Sequence, residues 1–143
     1  MAPEEIIVLD ASVILKWFVE EEWSEIAANI KSEYSKGKFT IAVPSLVFYE
    51  VANVLRYKTE FGLKDVTVAL TSLYALQFEI WGFENILARK TIELAYNYGI
   101  TIFDAAYLGL AALKECRIYT VDEVLVKKTK DFNYMAHIRE WES

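Results

Sequence analysis

Cysteine and histidine occur once each in this 143-residue chain, as Cys116 and His137. A single cysteine cannot close an internal disulfide, and the two residues together are too few for a zinc site of the Cys/His type. Any bound metal must therefore be held by oxygen. Basic charge is also scarce, with 15 Lys and Arg against 21 Asp and Glu and a net charge of −6. That balance argues against a broadly basic nucleic-acid surface, because phosphate contacts are normally made by clustered Lys and Arg. A divalent cation gathered by several carboxylates would reverse the local field that a phosphate meets. Long hydrophobic runs are absent too: Glu50, and Lys64 with Asp65, cut the most apolar stretches, leaving no clean window of roughly 20 residues for a membrane span. The start, Met1 to Glu5, lacks the basic segment and long apolar run of an export signal. A soluble, cytoplasmic protein is expected.

What the chain does have is apolar mass, 55% hydrophobic and 15% aromatic, enough for one packed core. Charged residues are spread along the sequence and no repeat is visible, so residues 1–143 are expected to form a single domain. Ile6 to Leu9 is a continuous apolar run ending in Asp10, as in a strand buried on both faces of a parallel sheet. The pattern then predicts a short helix over residues 12–18 and a second from about Trp23 to Lys36, stopped by Gly37. Strand two spans Phe39 to Val43, closed by Pro44, with Ser45 capping a long helix to about Gly62. A helix over Asp65 to Leu76, a strand over Phe78 to Trp81 and a helix over Glu84 to Tyr98, ending at Gly99, follow. The last elements are a helix from Thr101 to Leu113, strand four at Ile118 to Thr120, a helix at Glu123 to Thr129 and an edge strand at Met135 to Ile138. Strands alternating with helices imply an α/β fold, a mostly parallel sheet with helices on both faces.

Four acids stand out by position. Asp10 ends strand one, at the carboxyl edge where open α/β sheets place ligands; an Asx turn leading into Ser12 explains it equally well. Glu50 has Leu46, Val47, Asn53, Val54 and Tyr57 as helical neighbours, a largely apolar stripe, so a cation or a donor has to meet it. A buried pair with Arg or Lys would serve as well as a metal. Asp104 follows Thr101 by three, a capping-box spacing, yet a helix leading into a parallel strand starts at the same carboxyl edge that holds Asp10. Asp122 follows strand four and could cap the next helix. In a flavodoxin-like order of 3-2-1-4-5, Asp10 and Asp122 would flank the switch point of the sheet.

Four segments in order, Val8-Leu9-Asp10-Ala11-Ser12, Pro44 to Asn53, Ile102-Phe103-Asp104-Ala105-Ala106-Tyr107 and Tyr119-Thr120-Val121-Asp122, together resemble the PIN domain family. The resemblance is to the VapC-type toxins of prokaryotic toxin-antitoxin pairs in particular, and it spans nearly the whole chain without departing at the acidic positions. It implies a three-layer α/β/α fold and cleavage of RNA by Mg²⁺ or Mn²⁺ bound at Asp10, Glu50, Asp104 and Asp122. Ser12, Thr120 and Asn53 match polar positions that support those acids. It further implies a homodimer and a small antitoxin that inserts an Arg or Lys toward the carboxylates.

Mg²⁺ keeps several waters in an octahedral oxygen shell, so a few carboxylates with open positions suit it. Lys16, Arg56, Lys58, Lys114 and Arg117 lie near the motif segments and are candidates for phosphate contact, though each is equally readable as solvated surface. Trp17, Phe18 and Trp23 could form a subunit interface or simply pack in the core. Two other classes fit the sequence less well. A receiver-like signalling module would need a late Lys and its acids on strands, whereas Glu50 and Asp104 fall on helices; a haloacid dehalogenase-type phosphatase would need an acid where Ser12 stands. A PIN-fold binding scaffold with little nuclease activity is the remaining alternative.

Overall fold

The computed structural model describes residues 5–143; the first four residues, weighed above against an export signal, lie outside them. Strand β1 (Ile6–Leu9) is buried over its last three residues, as its unbroken apolar run requires. It sits at the centre of a five-stranded sheet, between β2 (Thr40–Pro44) and β4 (Arg117–Thr120), with β3 (Glu79–Trp81) and β5 (Met135–His137) at the edges. Every pairing is parallel, and the order is 3-2-1-4-5, as expected from the sequence. Helices on the two faces complete the three layers: α1 (Ala11–Ile14), α2 (Ser24–Ser35), α3 (Leu46–Arg56), α4 (Leu63–Ala75), α5 (Asn85–Tyr98), α6 (Ile102–Lys114) and α7 (Glu123–Lys128). No helix among the described residues is long and apolar enough to cross a membrane.

Several local expectations need correction. The helix expected over 12–18 is one turn of α-helix, α1, that tightens into a 3-10 turn over Leu15–Trp17. Helix α2 begins at Ser24 because Trp23 adopts a left-handed conformation, φ 73°. Ser45 precedes α3 but does not cap it: its backbone is already helical and its side chain makes no capping hydrogen bond, while its N–H donates across the sheet edge to Trp81 O at 2.8 Å. The long helix stops at Arg56 instead of Gly62. Its buried stripe of Val47, Val51 and Leu55 has no apolar successor in Lys58-Thr59-Glu60, so nothing anchors another turn. Gly62 instead opens α4, its N–H held by the Asp65 carboxylate at 2.8 Å.

Helix α6 is buried without interruption from Ala105 to Ala111. Such a helix must be covered all round, and it is, by β1, β2 and β4 on one side and α5 on the other. Gly109 sets the closeness of the α5 crossing, because a Cβ there would stand 2.8 Å from Thr91 Oγ1 and 3.3 Å from the Thr91 amide nitrogen. Trp17, Phe18 and Trp23 are partly buried and pack against the core, the second of the two readings given for them. The Trp17 indole donates to Ala27 O at 2.8 Å, and the Trp23 ring meets His137 edge-on.

Gly109→Ala should destabilise the fold by about 1 kcal/mol net, because overpacking of roughly 1–3 kcal/mol outweighs the helix-propensity gain of about 1 kcal/mol. Urea unfolding measures this, and a midpoint equal to or above that of wild type would show that the crossing has room for a methyl group.

Candidate metal centre

All four acids issue from segments that begin at the carboxyl edge of the sheet. Asp10 directly follows β1, and its N–H donates to Tyr119 O on β4 at 3.0 Å. Glu50 is the fifth residue of α3, the helix that leaves β2. Asp104 lies in the first turn of α6, and Asp122 stands between β4 and α7. Parallel strands with helical crossovers bring these ends together.

Asp10 is the most enclosed of the four, 8% exposed. Two hydroxyls satisfy its Oδ2, Ser12 at 2.7 Å and Thr120 at 2.9 Å. The same hydroxyls order the neighbouring loop: Ser12 Oγ accepts the Val121 N–H at 3.2 Å, and Thr120 Oγ1 accepts the Asp122 N–H at 3.1 Å. No described residue donates a hydrogen bond to Asp10 Oδ1, which leaves that oxygen available to a cation. Burial raises the affinity of Asp10 for a proton; the two hydroxyls oppose the rise, and the charges of Asp104 and Asp122 add to it.

The local structural roles considered for the other acids are also real. Thr101 caps α6 by accepting the Asp104 N–H at 3.0 Å, and Asp122 Oδ1 caps α7 by accepting the Leu125 N–H at 3.0 Å. Asp104 is pushed up by burial and by Asp122, while Thr101 and Lys128 hold it down. Glu50 has no salt-bridge partner among the described residues; the Tyr107 hydroxyl donates to its Oε1. Burial raises Glu50 as well, Tyr107 opposes the rise, and Asp10 and Asp104 reinforce it. The alternative of a buried Glu–Arg or Glu–Lys pair therefore fails, and a neutral donor takes that place.

These mutual influences put the acids within electrostatic reach of one another. Among the described residues, however, no three or more His, Cys, Asp or Glu side chains stand close enough together to hold a metal ion as they are placed. By chemistry the donor set suits a hard ion, being oxygens only, with one Asp10 oxygen fixed by hydroxyls and the other without a donor. Asn53 is exposed one turn after Glu50 and lines the same groove, without bonding to the acids.

Sequence reasoning missed Tyr107 and Lys128. Tyr107 stood in the motif, one turn after Asp104, and its polar tip on an otherwise apolar helix was the available signal. Among the basic candidates, Arg56 lines the groove with Glu50. Lys16 pairs with Glu21 at 2.9 Å. Lys114 pairs with Glu79 at 2.6 Å, and Arg117 opens β4; both lie toward the amino end of the sheet, away from the acids. An apolar groove of about 270 Å³, with Leu46, Tyr49, Phe83 and Phe103 in its lining, adjoins the centre. Tyr49 and Phe103 are 77% and 59% exposed. A separate pocket of about 560 Å³ at the amino end mixes Glu5, Glu33, Lys38 and Arg117 and touches none of the four acids.

For Asp10, Glu50 and Asp104 the folded chain binds protons more tightly than the unfolded chain. Their joint contribution to stability is therefore fullest below the ordinary carboxylate range and declines as pH rises through their raised values. Metal-free Asp10→Asn keeps an acceptor for Ser12 and Thr120 and should be at least as stable as wild type near neutral pH, with a shallower decline from acid to neutral. Thermal melts in chelator across that range check this; an Asp10→Asn protein that melts lower and follows the wild-type slope would show that Asp10 carries no such penalty.

Comparison with known proteins agrees with this architecture. The PIN domain family matches residues 7–131. The chain is 32% identical over 130 residues to Ribonuclease VapC3 of Pyrobaculum aerophilum, covering 85% of this chain and 93% of that protein. Its fold is similar to a toxin-antitoxin complex from Klebsiella pneumoniae, with TM-score 0.68, 17% identity, and 96% and 99% of the two chains covered. It is similar also to VapBC2 from Rickettsia felis bound to a DNA fragment from their promoter, with TM-score 0.65, 17% identity, and 96% and 99% covered. With most of its length matched and a relative above 30% identity, the chain belongs to the PIN domain family.

Proposed function

We propose that this protein is a metal-dependent endoribonuclease, a single nuclease domain acting in the cytoplasm on RNA phosphodiesters as the toxin of a toxin-antitoxin pair. The observation that carries this reading is the buried Asp10 carboxylate, with one oxygen held by Ser12 and Thr120, the charges of Asp104 and Asp122 acting on it, and its own charge acting on Glu50. The 32% identity to a ribonuclease supports the substrate class.

Asp10, Glu50, Asp104 and Asp122 would hold one or two Mg²⁺ or Mn²⁺ ions. Bound there, the ion supplies polarisation of the scissile phosphate and a lowered pKa for the attacking water. The protein's own residues do the rest. Ser12 and Thr120 fix the Asp10 carboxylate, and the capping bond from Leu125 N–H orients Asp122. Lys128, close enough to Asp104 to lower its proton affinity, and Arg56 on the groove supply positive charge for the flanking phosphates.

The partner follows from the same surface. An acidic pocket beside an exposed apolar groove suits a small antitoxin that lays apolar side chains along Tyr49 and Phe103 and inserts an Arg or Lys toward the carboxylates. Solved toxin-antitoxin structures of similar fold support this, and a homodimer is part of the same reading.

Purified protein with Mn²⁺ should cleave single-stranded RNA, and Asp104→Asn should lower the rate at least about 100-fold. Equal cleavage by the two proteins would trace the activity to a contaminant and leave the fold as a scaffold. Mn²⁺ at 100 times its Kd should stabilise the protein by about 2.7 kcal/mol, seen as a rise in melting temperature. A melting temperature that stays flat across the Mn²⁺ titration would remove the metal from the proposal.

A further inference from the structure

We propose that Tyr107 is a positioning residue of the metal centre, its buried hydroxyl holding Glu50 so that one carboxylate oxygen is left for the ion. This rests on the reading of the four acids as a metal site. Tyr107 is 1% exposed, in the middle of the buried run of α6, one turn after Asp104. Its hydroxyl donates to Glu50 Oε1 on α3. One phenol thus joins two of the four segments that carry acids, α6 with Asp104 and α3 with Glu50.

Glu50 has no other partner among the described residues, neither a cation nor a second donor. A glutamate on its own has three side-chain torsions, and burial leaves it a choice between swinging outward and taking up a proton. The hydroxyl removes that choice by occupying Oε1. The helix that carries it cannot shift, because α6 is enclosed by the sheet and α5. Phenylalanine would fill nearly the same core volume, so packing does not account for a hydroxyl whose partner is an acid of the proposed site.

Mn²⁺ titration by calorimetry on wild type, Tyr107→Phe, Glu50→Gln and the double variant tests this. Tyr107→Phe should weaken binding about 10- to 100-fold, and in the Glu50→Gln background it should add little, because the hydroxyl reaches the ion only through Glu50. Equal affinities of wild type and Tyr107→Phe overturn the proposal, and so does an equal loss in both backgrounds, which marks a general packing effect. A wild-type protein that takes up no Mn²⁺ sinks the metal reading itself, and the positioning role falls with it. Tyrosine labelled with ¹³C at Cζ gives a check independent of how Tyr107→Phe folds. Mg²⁺ should shift one buried resonance in wild type but not in Glu50→Gln; a spectrum unmoved by Mg²⁺ that calorimetry shows to be bound overturns it.

Discussion

A carboxylate at the end of a strand buried on both faces has to be satisfied where it stands, because water reaches it poorly and no Lys or Arg among the described residues forms an ion pair with it. In this protein two hydroxyls do that for Asp10, Ser12 from the turn that follows it and Thr120 from the end of β4. The pair also receives the amides of Val121 and Asp122, so the arrangement that steadies one acid fixes the loop that carries another. The junction of β1 and β4 at the sheet's switch point is thereby both a fold-determining contact and the base of the site.

The rest of the centre is assembled against electrostatic opposition. Burial and neighbouring charge both make Asp10, Glu50 and Asp104 harder to ionise, and the stability to hold them together has to come from elsewhere. It comes from the apolar mass around α6, whose near-total burial between the sheet and α5 anchors Asp104 and Tyr107 on one rigid element. The apolar rim beside the acids, with Tyr49 and Phe103 facing solvent, is not explained by that core. It gives the centre a hydrophobic lip on one side only.

Much of this was legible in the sequence. Apolar runs bounded by turn residues located all five strands, and the order of elements pointed to the parallel topology, because the period of buried positions is a property of the chain itself. Three of the four acids, Asp10, Asp104 and Asp122, could be placed at one edge from the topology alone, whereas Glu50 stood out only by its apolar neighbours on the helix. What could not be read was local. Ser45 has the right identity for a cap, but its backbone is recruited by the β3 edge through Trp81 O. The end of α3 was hidden because Tyr57 to Gly62 contains no proline to mark it. Glu50 was expected to meet a cation or a hydrogen-bond donor, but which donor could not be read: the Tyr107 phenol contact joins residues 57 apart in sequence, and no local pattern encodes it.

The two outermost strands, β3 and β5, are only three residues long each. A sheet with such abbreviated borders offers little unpaired backbone for a neighbouring chain to extend by strand addition. Self-association through fibril-like edge pairing is therefore disfavoured by the architecture, even though the molecule carries exposed aromatic side chains. Association driven by those side chains must proceed through helix faces, where shape selects the partner more stringently than a generic backbone ladder would.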